Sequence, residues 1–186
     1  MTGRMAYFIL ATVVVFVALV TIGGFYLLKI RASRASTWED LLGRLLSVDR
    51  NGIEKVALDA IEPSGQRRTD EKARELEFDQ IWALLGGLAG VERLEKNSRV
   101  LIDMAAYLQR WYPEAVATAE ELRLQARELE WQVGRLRSAA QNDGLQFYFA
   151  SYGQNAAVTY YLMVRRLLAL YERSRLPIFA ELKNAL

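Results

Sequence analysis

The 186-residue chain contains no cysteine and no histidine, and only three prolines. Without cysteine there can be no disulfide, no thiol nucleophile and no thiolate metal site. Without histidine it lacks the usual general base, the commonest transition-metal ligand and the side chain that titrates near neutral pH. The Glu-x-x-His pattern of di-iron bundles is therefore excluded. Gly86-Gly87 does not lead into the Gly-Lys-Ser/Thr ending of a phosphate-cradling loop, and no G-x-S-x-G nucleophile elbow is present. An enzyme built on this chain would have to work with carboxylates, Lys, Ser or Tyr. A clustered basic surface is missing too. Residues 37–186 hold 20 basic against 22 acidic side chains, a net charge of −2, with no basic run longer than Arg67-Arg68 or Arg165-Arg166. That argues against nucleic acid as a partner.

What the chain does have is an uncharged apolar run from Met5 to Leu28. A bilayer core of about 30 Å takes roughly 20 apolar helical residues. The run exceeds the apolar region of a cleavable signal peptide, and Lys29, Arg31 and Arg34 follow it where a neutral small-residue cleavage site would stand. Its β-branched and aromatic residues fall on every face, as suits a helix surrounded by lipid. Tyr7 and Tyr26 at its two ends, the basic flank, and Trp38 just beyond are the expected membrane-interface residues. Three basic residues after the span against Arg4 alone before it place the C-terminal domain in the cytoplasm, with a bacterial inner membrane as the expected location. The small residues of the span, Ala6, Ala11, Thr12, Ala18, Thr21, Gly23 and Gly24, never recur at the four-residue interval of tight helix dimers. A homo-oligomer is accordingly not favoured.

Beyond residue 36 the sequence is dominated by Leu, Ala, Glu and Arg, all strong helix formers, with no alternating strand pattern. Thr37 and Asp40 form a helix-start signal for a short helix over 38–48. Asn51-Gly52 reads as a turn, and a second short helix follows over 53–61, closed by Pro63. A long helix is expected over 70–112, broken at 86–90 by Gly86, Gly87 and Gly90. From 114 to 142, Ala115, Ala119, Leu122, Ala126, Leu129, Val133, Leu136 and Ala140 occupy a and d positions of successive heptads. Asn142-Asp143-Gly144 then turns the chain into a last helix over 145–175.

That last helix is apolar on more than one side, and residues 144–164 carry no charge. Gln146, Ser151, Gln154, Asn155 and Thr159 weigh against a second span, so the helix reads as central to the bundle. Phe147, Tyr148 and Tyr161 lie off its core stripe and are the expected partner-docking residues. The carboxylate pairs Glu39/Asp40, Glu120/Glu121 and Glu128/Glu130 point in divergent directions on a helix and do not make catalytic dyads. The four tryptophans fall in different segments and read as core fillers or groove caps, not as a pigment or quinone site.

The expected architecture is all-α: a single N-terminal transmembrane helix with basic flank (1–36) plus an antiparallel helical bundle domain (37–186). No catalytic, cofactor-binding or metal-ligating residue is assigned. The function this implies is that of a non-catalytic accessory subunit. It would be anchored in the lipid bilayer and dock on other subunits of a larger membrane complex, energy-transducing and photosynthetic assemblies among them. The alternative is a membrane-tethered signalling or regulatory module that self-associates through the heptad helix 114–142.

Overall fold

The computed structural model describes residues 12–13, 16–17, 20–21, 37–62, 68, 75–175 and 178–186, and these divide between two units, Met1–Thr37 and Trp38–Leu186. In the first unit Thr12, Val13, Phe16, Val17, Val20 and Thr21 are helical and exposed, and the Thr21 hydroxyl donates to the Val17 carbonyl at 2.7 Å. The rest of the expected span, with Tyr7, Tyr26, Lys29, Arg31 and Arg34, lies outside the described residues. Among the described residues no helix is long and apolar enough to cross a membrane.

The second unit is all-α, with no strand among its described residues. Its helices are α1 (Trp38–Gly43), α2 (Arg50–Asp59), α3 (Phe78–Leu85), α4 (Gly87–Leu108), α5 (Ala115–Gln141), α6 (Leu145–Ser174) and α7 (Phe179–Ala185). The core is the bundle of α4, α5 and α6. Ion pairs join Arg99 to Glu130 and Glu92 to Arg137, so α4 and α5 run antiparallel. Contacts of Trp131 with Tyr152 and of Glu121 with Arg166 show the same for α5 and α6. Between them the heptad positions close up: Ala115, Ala119, Leu122, Leu129, Val133 and Leu136 are fully buried. Ala alternating with Leu lets the helices approach closely while filling the space at the larger positions.

Helix α6 is covered on further sides. Phe149 meets Phe78 at 6.0 Å and Trp82 at 4.6 Å between ring centroids, which packs α3 against it. Val158 is sealed by Ala57 and Ala60 at the end of α2. Near the other end of α6 the Tyr171 hydroxyl donates to the Met104 carbonyl at 2.9 Å, bonding α6 to α4.

Trp38, expected at the lipid headgroup level, lies in the core of the second unit. Its ring is only 4% exposed, packed between Tyr107 and Tyr171, and its indole N–H donates to Glu181 at 2.9 Å. A buried indole needs an acceptor, and α7 provides it. Helix α7 itself, past Pro177, has no counterpart in the expected elements. It is held by the fully buried Leu182 and by the Arg50 guanidinium, which donates to the carbonyls of Lys183 and Asn184. A cation there complements the unsatisfied carbonyls of a helix C-terminus.

Other boundaries move for identifiable reasons. The first helix stops at Gly43, not near 48, because the buried Asn97 amide takes over the next stretch. Asn97 accepts the Leu46 N–H at 2.8 Å and donates to the Leu46 carbonyl at 2.9 Å, in the manner of a strand edge. Helix α2 starts at Arg50, so Asn51-Gly52 is its first turn, capped by Asp49 accepting the Gly52 N–H at 3.0 Å. Of the long helix expected from residue 70, residues 70–74 lie outside the described residues, 75–77 are not helical, and α3 begins at Phe78. Just before it Asp59 accepts the Glu75 N–H at 2.8 Å, and Gln80 accepts the N–H of the extended Glu77.

The glycine break is sharp. Gly86 and Gly87 both take positive φ, +72° and +64°, a conformation costly for any residue with a Cβ. Gly90 lies so close to the Leu85 carbonyl that an added Cβ would overlap it. The Gly86-x-x-x-Gly90 spacing thus serves a backbone contact inside the domain.

Gly90→Ala should cost about 2 kcal/mol or more, since backbone and not a flexible side chain stands in the way. Gly134→Ala, in open space within α5, should instead stabilise by about 0.5–1 kcal/mol. Urea titration of both variants checks the contrast. Burial also raises the phenol pKa of both Tyr160 and Tyr171 above its ordinary value. An acid whose folded pKa is raised leaves stability intact below the unfolded value of about 10 and erodes it as pH climbs above that. Tyrosinate absorbance from these two residues should therefore emerge late and in step with loss of helicity; their ionisation in a folded domain near pH 10 would refute the effect.

Candidate docking surface

Several of the described carboxylates are engaged in the fold. Glu95, 6% exposed, accepts from Arg99 at 3.2 Å and from Arg137 at 2.7 Å. Arg137 also reaches Glu92 at 2.8 Å, and Arg99 reaches Glu130 at 3.0 Å. The hydrogen bond to Glu92 is the main reason the Arg137 pKa is raised. This network clamps α4 to α5, and breaking one partner would strand the buried Glu95 charge. Glu120 pairs with Arg123, Glu121 lies 3.6 Å from Arg166, and Glu128 accepts from Gln132. Asp59 accepts from the buried Gln154 at 2.7 Å. No group of three or more potential metal ligands exists among the described residues.

The surface chemistry that stands out is apolar. Phe147 is 82% exposed and Tyr148 48% exposed at the start of α6, and on α5 Trp131 is 58% exposed and Leu124 65%. Three of the rings form one cluster. Trp131 stands edge-on to Tyr152 at 5.5 Å, and Tyr148 stacks obliquely against the same ring at 6.1 Å. The Arg135 guanidinium lies 5.8 Å above the Tyr152 ring. The antiparallel α5–α6 hairpin creates this cluster by bringing the C-terminal half of one helix beside the first turns of the next. The short Asn142–Gly144 connection keeps the Tyr148 ring close over Gly144.

The structure separates the three expected docking residues. Phe147 and Tyr148 project from the bundle. Tyr161 is half-buried against the α2 flank, with its hydroxyl 3.5 Å from Glu54 and Arg165 over its ring at 5.8 Å. Tyr161 therefore belongs to the internal packing of α6, because α2 covers the side of the helix that its sequence leaves apolar. In its place the fold assembles Trp131, Tyr152 and Arg135, none of which sequence reasoning put on a surface site. A signal existed. Leu124 and Trp131 sit seven residues apart, outside the a and d positions of α5, where a bundle helix would carry polar residues. Of the other tryptophans, Trp82 is half-buried against Phe78 and Trp111 is exposed beside Tyr107.

Comparison of the chain with protein-family models, with curated proteins and with solved structures finds no match. The functional reading thus rests on the chemistry of this surface.

Exposed and buried positions of the α5–α6 hairpin can be told apart by mutation. Phe147→Ser and Trp131→Ser, at exposed sites, should change stability by no more than about 0.5 kcal/mol. Phe149→Ala, fully buried between α3 and α6, should cost about 3–5 kcal/mol. Thermal melts followed by circular dichroism make the comparison; a large loss from Phe147→Ser would mean that its ring is part of the core.

Proposed function

We propose that the chain is a non-catalytic, membrane-tethered scaffold whose helical domain docks on other subunits of a larger membrane complex. One observation carries the reading. A cluster of Trp131, Tyr148 and Tyr152, with the still more exposed Phe147 beside it, stands on the surface of a domain whose interior is already closed. Monomeric proteins seldom leave contiguous aromatic surface in water without a use for it. The tether is supported by the uncharged run from Met5 to Leu28 and its basic flank, and by the exposed apolar residues Val13, Phe16, Val17 and Val20 on the described helical turns. A non-catalytic role is supported by the ion pairing of Glu92, Glu95, Glu120, Glu121 and Glu130 and by the missing histidine and cysteine. The stripe Ala115, Ala119, Leu122, Ala126, Leu129, Val133 and Leu136 is buried within the domain. Self-association through it would require the bundle to open, which favours the scaffold over the self-associating module.

The test is native mass and topology. Extracted in mild detergent from its own membranes, the chain should migrate with a fixed set of other polypeptides and remain in the membrane fraction after carbonate washing. A reporter fused at Leu186 should be active only on the cytoplasmic side. Release by carbonate would overturn the tether, and migration as a lone monomer or homo-oligomer would overturn the scaffold.

A further inference from the structure

We infer that the Trp131–Tyr148–Tyr152 cluster, flanked by Arg127 and Arg135, is a docking site for an acidic, apolar-faced helical segment of a partner protein. The inference rests on the scaffold reading and names the chemistry of what the scaffold holds. Along the outward side of α5, Leu124, Arg127, Trp131 and Arg135 follow at helical spacing, so apolar and cationic side chains share one exposed strip. Trp, Tyr and Arg are the residue types that dominate binding energy at protein interfaces, and here all three meet within one cluster.

The charges point to the sign of the partner. Arg99, Arg123, Arg137 and Arg166 each form an ion pair with a carboxylate of this domain. Arg127 and Arg135 are exposed and form none among the described residues, and Arg135 rests on an aromatic face instead. An incoming carboxylate would give each guanidinium the bidentate partner it lacks, while apolar side chains cover Trp131 and Tyr148.

The chain enters the domain at Trp38, which packs on Tyr171 near the end of α6, whereas Tyr152 and Tyr148 lie near its start. Tyr152 and Tyr171 are separated by about 28 Å along the helix axis. Within the domain the cluster thus lies at the other end of α6 from Trp38.

The experiment uses the full chain in neutral phosphatidylcholine nanodiscs and a fluorescein-labelled amphipathic helical peptide, with Leu and Phe on one face and Glu on the other. A control peptide replaces every Glu by Lys. By fluorescence anisotropy the acidic peptide should bind at least about tenfold more tightly than the Lys peptide, and added salt should narrow the gap. Trp131→Ala or Tyr148→Ala should weaken acidic-peptide binding about tenfold or more with helicity and melting unchanged. The double variant Arg127→Glu/Arg135→Glu should reverse the preference towards the Lys peptide, a rescue that a merely structural role would not produce. Equal binding of the two peptides, no binding, or Trp131-dependent attachment to anionic vesicles in place of the peptide overturns the inference. Such a failure is distinguishable from failure of the scaffold reading: the former leaves co-purifying subunits in place, and the latter removes them while peptide binding persists.

Discussion

Helix α6 carries apolar residues around most of its circumference, and a helix of that kind cannot stand with one side in water. The rest of the domain follows from covering it. Helices α4 and α5 form the conventional seam, α3 brings Phe78 and Trp82 onto Phe149, and α2 lays Ala57 and Ala60 over Val158. Burial of α6 at each step removes aromatic and aliphatic area from water at roughly 25 cal/mol per Å², enough to hold short helices that would not be stable alone. What remains uncovered is its first turns, and these carry the exposed aromatic cluster.

Polar side chains then decide the path of the connections between these covering helices. Asn97 binds the Leu46 backbone, Asp59 binds the backbone before α3, and Trp38 finds its acceptor on α7. Each is a buried or half-buried polar group whose partner lies far away in the chain, and each would be costly to leave unpaired. The cost of failing to form these bonds keeps the short helices from sliding on an apolar helix that offers little directional preference. The clamp of Glu92, Glu95, Arg99, Glu130 and Arg137 does the same for α4 against α5.

This distribution of roles bears on function. Among the described carboxylates, Glu92, Glu95 and Glu130 brace α4 on α5 through Arg99 and Arg137. The apolar surplus is at one end of the hairpin of α5 and α6, close to two arginines that form no ion pair among the described residues. On the proposed reading, that face is the one that recognises another protein and the interior holds it still.

Local physics made much of this visible in advance. Helix formers without strand alternation specify an all-α domain, because side-chain entropy and 3.6-residue periodicity act within a few residues. The heptads of α5 as far as Leu136, the break at Gly86-Gly87 and the turn at Asn142–Gly144 were legible for the same reason, whereas the last heptad step buries Ala139 and leaves the expected Ala140 exposed. The missing histidine and cysteine determined which chemistries are out of reach whatever the fold. Where the surplus apolar face of α6 goes was a different kind of question. Phe147 stays exposed while Tyr161 is covered, because α2, a hundred residues earlier in the chain, packs on one and not the other. Trp38 is core because Glu181 and Tyr171 meet it there, across 143 residues of sequence in the case of Glu181. Periodicity shows that a helix has more than one apolar side, but only the packing of distant segments decides which side faces the core and which is left exposed.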